Sequence, residues 1–218
     1  MVCHARTLDG DEGEIHASCN SLVCSVCLFA LSACSLAAQS DVLATPGAEP
    51  SLPTPMAHWT FDDTNNPWQD SGPRGWHARV VQSHELNAEP GVFGHSQAFR
   101  GSHRIEVPND PIWSELKQIS FSAWVLPVEL GSYREIFRKE DGNDRVLFSF
   151  QNDGRILSLG LNINGYVECD APIRAEDVLD GQWHHCAATF DGQWMRVFLD
   201  GRKIGELHRP GPLKAGGN

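Results

Sequence analysis

His184-His185 is a pair whose residue types could do chemistry. Imidazoles serve as general bases and metal ligands. Adjacent residues on a strand point to opposite faces, so the two cannot chelate one ion together. His184 therefore reads as structural. His58, His77, His84, His95, His103 and His208 show neither H-x-H nor H-x-x-x-H spacing. Retaining glycoside hydrolysis needs two carboxylates aimed into one groove. A Glu-x-Asp-x-Glu run on one strand would supply them. Glu135, Glu140-Asp141 and Glu176-Asp177 have the wrong spacing. No Gly-x-Ser-x-Gly elbow, P-loop or dinucleotide fingerprint is present.

Asp62, Asp63 and Asp70 are the candidate calcium ligands, because calcium takes hard oxygens from carboxylates and loop carbonyls. The competing account makes Asp62 and Asp63 a strand end and Asp70 an Asx-turn with Ser71-Gly72. Of the tryptophans, Trp59, Trp124 and Trp183 sit inside strand-like motifs and read as core. Trp68, Trp76 and Trp194 sit beside turns, where an exposed indole could stack on a sugar ring. They are the candidate ligand-binding residues.

These residues need elements to hold them, and the turn dipeptides supply the frame. Asp153-Gly154, Asn164-Gly165, Asp180-Gly181, Asp191-Gly192 and Asp200-Gly201 punctuate apolar segments. Asn-Gly and Asp-Gly favour type I′ turns, whose central residues need positive φ. Ile119 to Leu126 (ISFSAWVL) alternates, with Ile119, Phe121, Ala123 and Val125 on one face and Ser120, Ser122, Trp124 and Leu126 on the other. The fold class is all-β, a sandwich.

The chain has 218 residues, a net charge of −11 and a pI near 5.3. An acidic surface of this kind argues against non-specific binding to nucleic acid or anionic membrane. Leu22 to Ala38 (LVCSVCLFALSACSLAA) is too short and too rich in Ser and Ala for a membrane span. It fits an export h-region with cleavage near Ala37 or Ala38. Leu31-Ser32-Ala33-Cys34 resembles a lipobox, which makes Cys34 the candidate lipidation site. The long acidic stretch before it departs from both patterns. Expected organisation is a signal-like segment over 1–39, a Pro-rich linker over 40–55 and one domain over 56–218. Five cysteines fall within the first 34 residues, and the remaining two, Cys169 and Cys186, are the candidate disulfide.

An ordered set of strings carries a family likeness. His58-Trp59-Thr60-Phe61-Asp62-Asp63 comes first, then Asp70-Ser71-Gly72, Pro90-Gly91-Val92-Phe93-Gly94 and Ala98-Phe99-Arg100-Gly101. Ile119 to Val125, Asp180 to Gly192 and Val197 to Gly201 follow. The set resembles the laminin-G-like, concanavalin A-like jelly-roll domains of multidomain bacterial exported proteins. Cys186 stands where that family usually has Val. The family also continues past the point where this sequence stops, with a further strand, an Asp-Glu pair and a final strand. The resemblance thus implies a jelly-roll β-sandwich incomplete at its C-terminus, whose first strand, near His58, lacks a partner. It further implies a secreted, periplasmic or surface-attached module without catalytic activity, binding a glycan or an extracellular protein. The alternatives are an accessory domain of a glycoside hydrolase, a divergent member of that class, or a structural spacer.

Overall fold

The computed structural model describes residues 54–81, 88–100, 103–142 and 144–216, together with the backbone of 21–29. The strands are β1 (Ser21–Phe29), β2 (Ala57–Trp59), β3 (Arg79–Val81), β4 (Ala88–Pro90), β5 (His95–Arg100), β6 (Arg104–Glu106), β7 (Ile119–Pro127), β8 (Tyr133–Asp141), β9 (Asp144–Gln151), β10 (Ile156–Ile163), β11 (Tyr166–Pro172), β12 (His184–Phe190), β13 (Trp194–Leu199), β14 (Arg202–His208) and β15 (Leu213–Lys214). Two short 3-10 turns, Pro111–Glu115 and Ala175–Asp177, are the helical pieces among the described residues.

The large sheet runs β14-β13-β12-β7-β1-β5-β4, with β2 also paired to β1. The second sheet runs β11-β10-β9-β8, with β15 on β10, and β3 and β6 form a small ribbon. All pairings are antiparallel. Two of the turn dipeptides close hairpins as the I′ chemistry requires. Asn164 and Gly165 sit at φ 54° and 100°, Asp200 and Gly201 at 49° and 74°. They join β10 to β11 and β13 to β14. Asp191 instead holds its turn with its carboxylate, which accepts from the amides of Gln193 and Trp194.

The core lies between the sheets. On β12, and on β7 from Phe121 onward, burial alternates, with Phe121, Ala123 and Val125 and then Cys186, Ala188 and Phe190 turned inward. Facing them are Phe137, Phe148, Phe150, Leu157, Leu159 and Leu161 of the second sheet. A row of aromatics crosses this interior. Trp76 stacks on Trp113 at 5.7 Å, Trp113 on Phe137 at 5.8 Å, and Phe137 meets Phe121 at 4.4 Å.

Two expectations change here. The strand near His58, expected to lack a partner, is β2, and it pairs with β1 from Val26↔Trp59 to Leu28↔Ala57. Its partner is the first part of the apolar export-like run. A short apolar run has no period that tells a leader from a buried strand. Residues 30–38, with Cys34 and the expected cleavage positions, lie outside the described residues. Cys169 and Cys186, the candidate disulfide, are separate buried thiols. Burial pushes Cys186 well above the ordinary thiol range and Cys169 up to about 11. The Cys169 thiol lies 3.8 Å from the carbonyl of Met195.

Trp113 is 1% exposed and touches aromatic neighbours on both sides. Trp113→Ala is therefore expected to lower the unfolding free energy by about 3–5 kcal/mol in urea titrations. A loss under about 1 kcal/mol would mean that the aromatic row is not a principal support of the core.

Candidate functional site

Strand alternation decides what the outer face of the large sheet presents. With Phe121, Ala123 and Val125 inward, β7 must turn Ser122 and Trp124 outward. On β12, the inward His184 leaves His185 outward beside Trp124, their rings 5.1 Å apart. His185 Nε2 and Ser122 Oγ lie at hydrogen-bond distance, 3.1 Å. Burial lowers the His185 pKa, with Asp200 opposing, so the ring is neutral at pH 7.

A groove of about 250 Å³ opens on this face. Its walls include His58, Thr60, Asp62, Phe93, His95, Ser96, Ser122, Trp124 and Trp183, and apolar surface predominates. Phe93 stands at the tip of the β4–β5 turn and is 76% exposed, the largest exposure of any bulky apolar side chain among the described residues. None of the lining residues is Lys or Arg, and Asp62 is the lone carboxylate among them. Among the described residues, the groove thus offers aromatic surface with hydroxyls, imidazoles and one acid.

The rim is set by buried polar contacts. Asp70, 3% exposed, accepts from the amides of His58 and Gly72 through Oδ1 and of Trp76 through Oδ2, each at 2.7 Å. This carboxylate ties the loop back onto β2 and fixes His58 at the groove. Phe61 takes φ 64°, rare for a bulky residue, and is held there by edge contacts with Trp68 and Phe99. That kink turns Phe61 into the core between the groove residues Thr60 and Asp62. Asp62 Oδ1 in turn accepts from the amide of His95 at 2.8 Å. A Cβ on Gly94 would fall 2.0 Å from the same oxygen, at φ 58°, so only glycine fits beside the Phe93 tip.

The sequence candidates fall out differently. Asp62, Asp63 and Asp70 do not converge. Each accepts from backbone amides, those on Asp63 being Asn65 and Asn66. Among the described residues, no group of three His, Cys, Asp or Glu side chains is arranged to hold a metal. Trp76 is 5% exposed. Its indole N–H donates to Asp110, while the indole of Trp59 donates to the Trp76 carbonyl. Trp76 therefore cannot offer a face to a sugar. Trp68 is half-buried, edge-on to Phe61. Trp194 is half-buried, with His208 at 4.4 Å and the Arg196 guanidinium at 5.9 Å from its ring. Trp59 is core, as read; Trp124 and Trp183 are half-buried groove residues instead. The signal for Trp124 was its place on the face opposite Phe121. Phe93 had only the flanking glycines Gly91 and Gly94 to mark it.

His184 is a buried electrostatic clamp behind the groove. Its Nδ1 meets Asp200 at 2.8 Å and its Nε2 meets Asp180 at 3.0 Å. Burial by itself would lower its pKa, but the hydrogen bonds its ring donates to the Asp200 and Asp180 carboxylates outweigh that and hold it above the ordinary imidazole value. Asp200 also accepts from the amide of His185 through Oδ1.

Residues 99–218 match the family model Laminin_G_3, described as the concanavalin A-like lectin/glucanases superfamily. Among solved structures, the chain is similar to domain 4 of AbnA, a GH43 extracellular arabinanase from Geobacillus stearothermophilus, determined in complex with arabinotriose. The TM-score is 0.59 at 22% identity, covering 75% of this chain and 79% of that one. No protein of curated function matches in sequence. No helix among the described residues is long and apolar enough to cross a membrane.

Two outcomes follow from these contacts. A folded-state His pKa above the unfolded value stabilises fully below about pH 6.5, and that contribution is lost as pH rises through the raised value. Urea midpoints are thus expected to fall above pH 6.5 in the wild type, with a flatter slope in His184→Gln; equal slopes would contradict the clamp. Asp70→Ala strands three amide donors and is expected to cost ~3 kcal/mol or more, with or without added calcium. Calcium-dependent stability of the wild type, lost in this variant, would support a metal role.

Proposed function

On the premise that the chain belongs to the concanavalin A-like lectin/glucanases superfamily, we propose that it is a non-catalytic carbohydrate-binding module of an exported protein, taking an uncharged oligosaccharide in the groove of the large sheet. The observation that carries this reading is the groove's chemistry. Trp124, Trp183 and the exposed Phe93 surround hydroxyl and imidazole groups in a space without a cation. Aromatic faces suit the C–H face of a neutral sugar, and the sparse polar groups suit its hydroxyls. Among the described lining residues, an anionic glycan would meet Asp62 and no compensating Lys or Arg. A volume of about 250 Å³ suits one or two sugar units rather than a long chain. The solved complex of AbnA domain 4 with arabinotriose, on the same fold, makes arabino-oligosaccharides the first ligands to try.

With Asp62 the single carboxylate among the described lining residues, those residues supply no second acid for a two-acid hydrolysis. Catalysis belongs elsewhere, and the module's role is to hold a polymer near it or near the cell surface.

Calorimetry of the full chain against arabino-, xylo- and cello-oligosaccharides tests the reading. Binding to one neutral series is expected, weakened about tenfold (about 1.4 kcal/mol) or more by Trp124→Ala or Phe93→Ala, unchanged by Trp194→Ala and unaffected by EDTA. Binding that survives both groove variants, or that EDTA abolishes, counts against the groove. The absence of binding to every neutral glycan sinks the carbohydrate reading and favours a protein ligand.

A further inference from the structure

β1 differs from every other strand of the fold in how it is attached. The strands from β2 onward follow one another through the chain after residue 56, whereas residues 30–56 separate β1 from β2. Yet β1 is a central strand. It pairs with β7 from Leu22↔Pro127 to Phe29↔Ser120, with β5 from Ser21↔Arg100 to Cys24↔Gln97, and with β2. Backbone ladders to β2, β5 and β7 hold it in the sheet. Without it, β5 and β7 would face each other across a one-strand gap, each with an open row of N–H and C=O groups. Such paired open edges accept an extended peptide by strand addition.

The groove straddles this gap. Ser122 and Trp124 come from β7 on one side, His58 and Ser96 from β2 and β5 on the other. The register puts Ser25 of β1 opposite Trp124, and Cys27 opposite both Ser122 and His58. With strands about 4.8 Å apart, an empty gap would leave the two walls without a floor between them. Cleavage near Ala37 or Ala38, as the sequence suggests, would turn β1 into a separate peptide with no covalent link to the rest of the sheet.

We propose that the gap between β5 and β7 is a strand-acceptor site, filled in this structure by the chain's own residues 21–29, and that filling it assembles the groove. The acceptor site stands on the sheet topology alone. The coupling to the groove rests on the carbohydrate-binding reading.

The test uses the full chain with a protease site placed within residues 40–55. After cleavage, excess fluorescent peptide of sequence 21–29, with Cys24 and Cys27 replaced by Ser, is added and the mixture is gel-filtered. The labelled peptide is expected to elute with the protein and to raise its melting temperature. The same peptide carrying Val26→Pro, which removes a ladder donor, is expected to do neither. Three results overturn the acceptor site: no uptake even in sub-denaturing urea, equal uptake of the proline peptide, or loss of the cut segment with melting temperature and elution volume unchanged. If the inserted site blocks folding, the uncut chain carrying Val26→Pro serves instead. It is expected to take up the serine-substituted peptide without the proline, and failure to do so overturns the proposal. Glycan binding is measured in parallel. Peptide uptake without any change in affinity overturns the coupling and leaves the acceptor site intact. An uncut wild-type chain that binds no glycan sinks the carbohydrate reading alone.

Discussion

A sheet in a two-layer sandwich can bury only one face against its partner, and most of this structure follows from that constraint. Because side chains alternate along a strand, committing Phe121, Ala123 and Val125 to the interior commits Ser122 and Trp124 to the outside. The same rule on β12 sends His184 into its clamp and His185 toward Trp124. The groove is the outward half of the pattern that builds the core. A shift of one residue in the β7–β12 register would exchange the two sets and destroy both.

The loops convert that open face into a groove with walls. Asp70 does this through three amide contacts, and Asp62 does it by holding the base of the Phe93 turn. Both residues invite a metal reading because they are clustered acids in a polar loop. In the fold their oxygens are directed at backbone donors, which would otherwise lack partners in a semi-buried loop. Phe61 is the strained element of the region, and its positive φ lets consecutive residues alternate between core and groove through a bend.

The sandwich was legible because its signals are local. Asn164-Gly165 and Asp200-Gly201 impose positive φ at both positions, and ISFSAWVL declares its two faces without reference to the rest of the chain. The site was less legible because exposure beside a turn depends on which way the turn folds. Trp76 follows a turn that Asp70 pulls inward, and so its indole joins Trp113. Trp124 looked like core because it lies in a central strand, although its own alternation placed it outside. Phe93 gave no periodic signal at all. The run from Ser21 to Phe29 was ambiguous in principle, since an apolar stretch of that length suits a leader or a central strand equally.

The central claim is that the open face of the large sheet is where the ligand sits. Chemical-shift mapping of the isotope-labelled full chain, titrated with a short neutral oligosaccharide, tests it most directly. The account predicts that the largest shifts fall on the amides of His58, Thr60, Phe93, Ser122 and His185 and on the Trp124 indole. Shifts centred instead on Trp68 or Trp194, or on the polar face of β10 and β11, would contradict it.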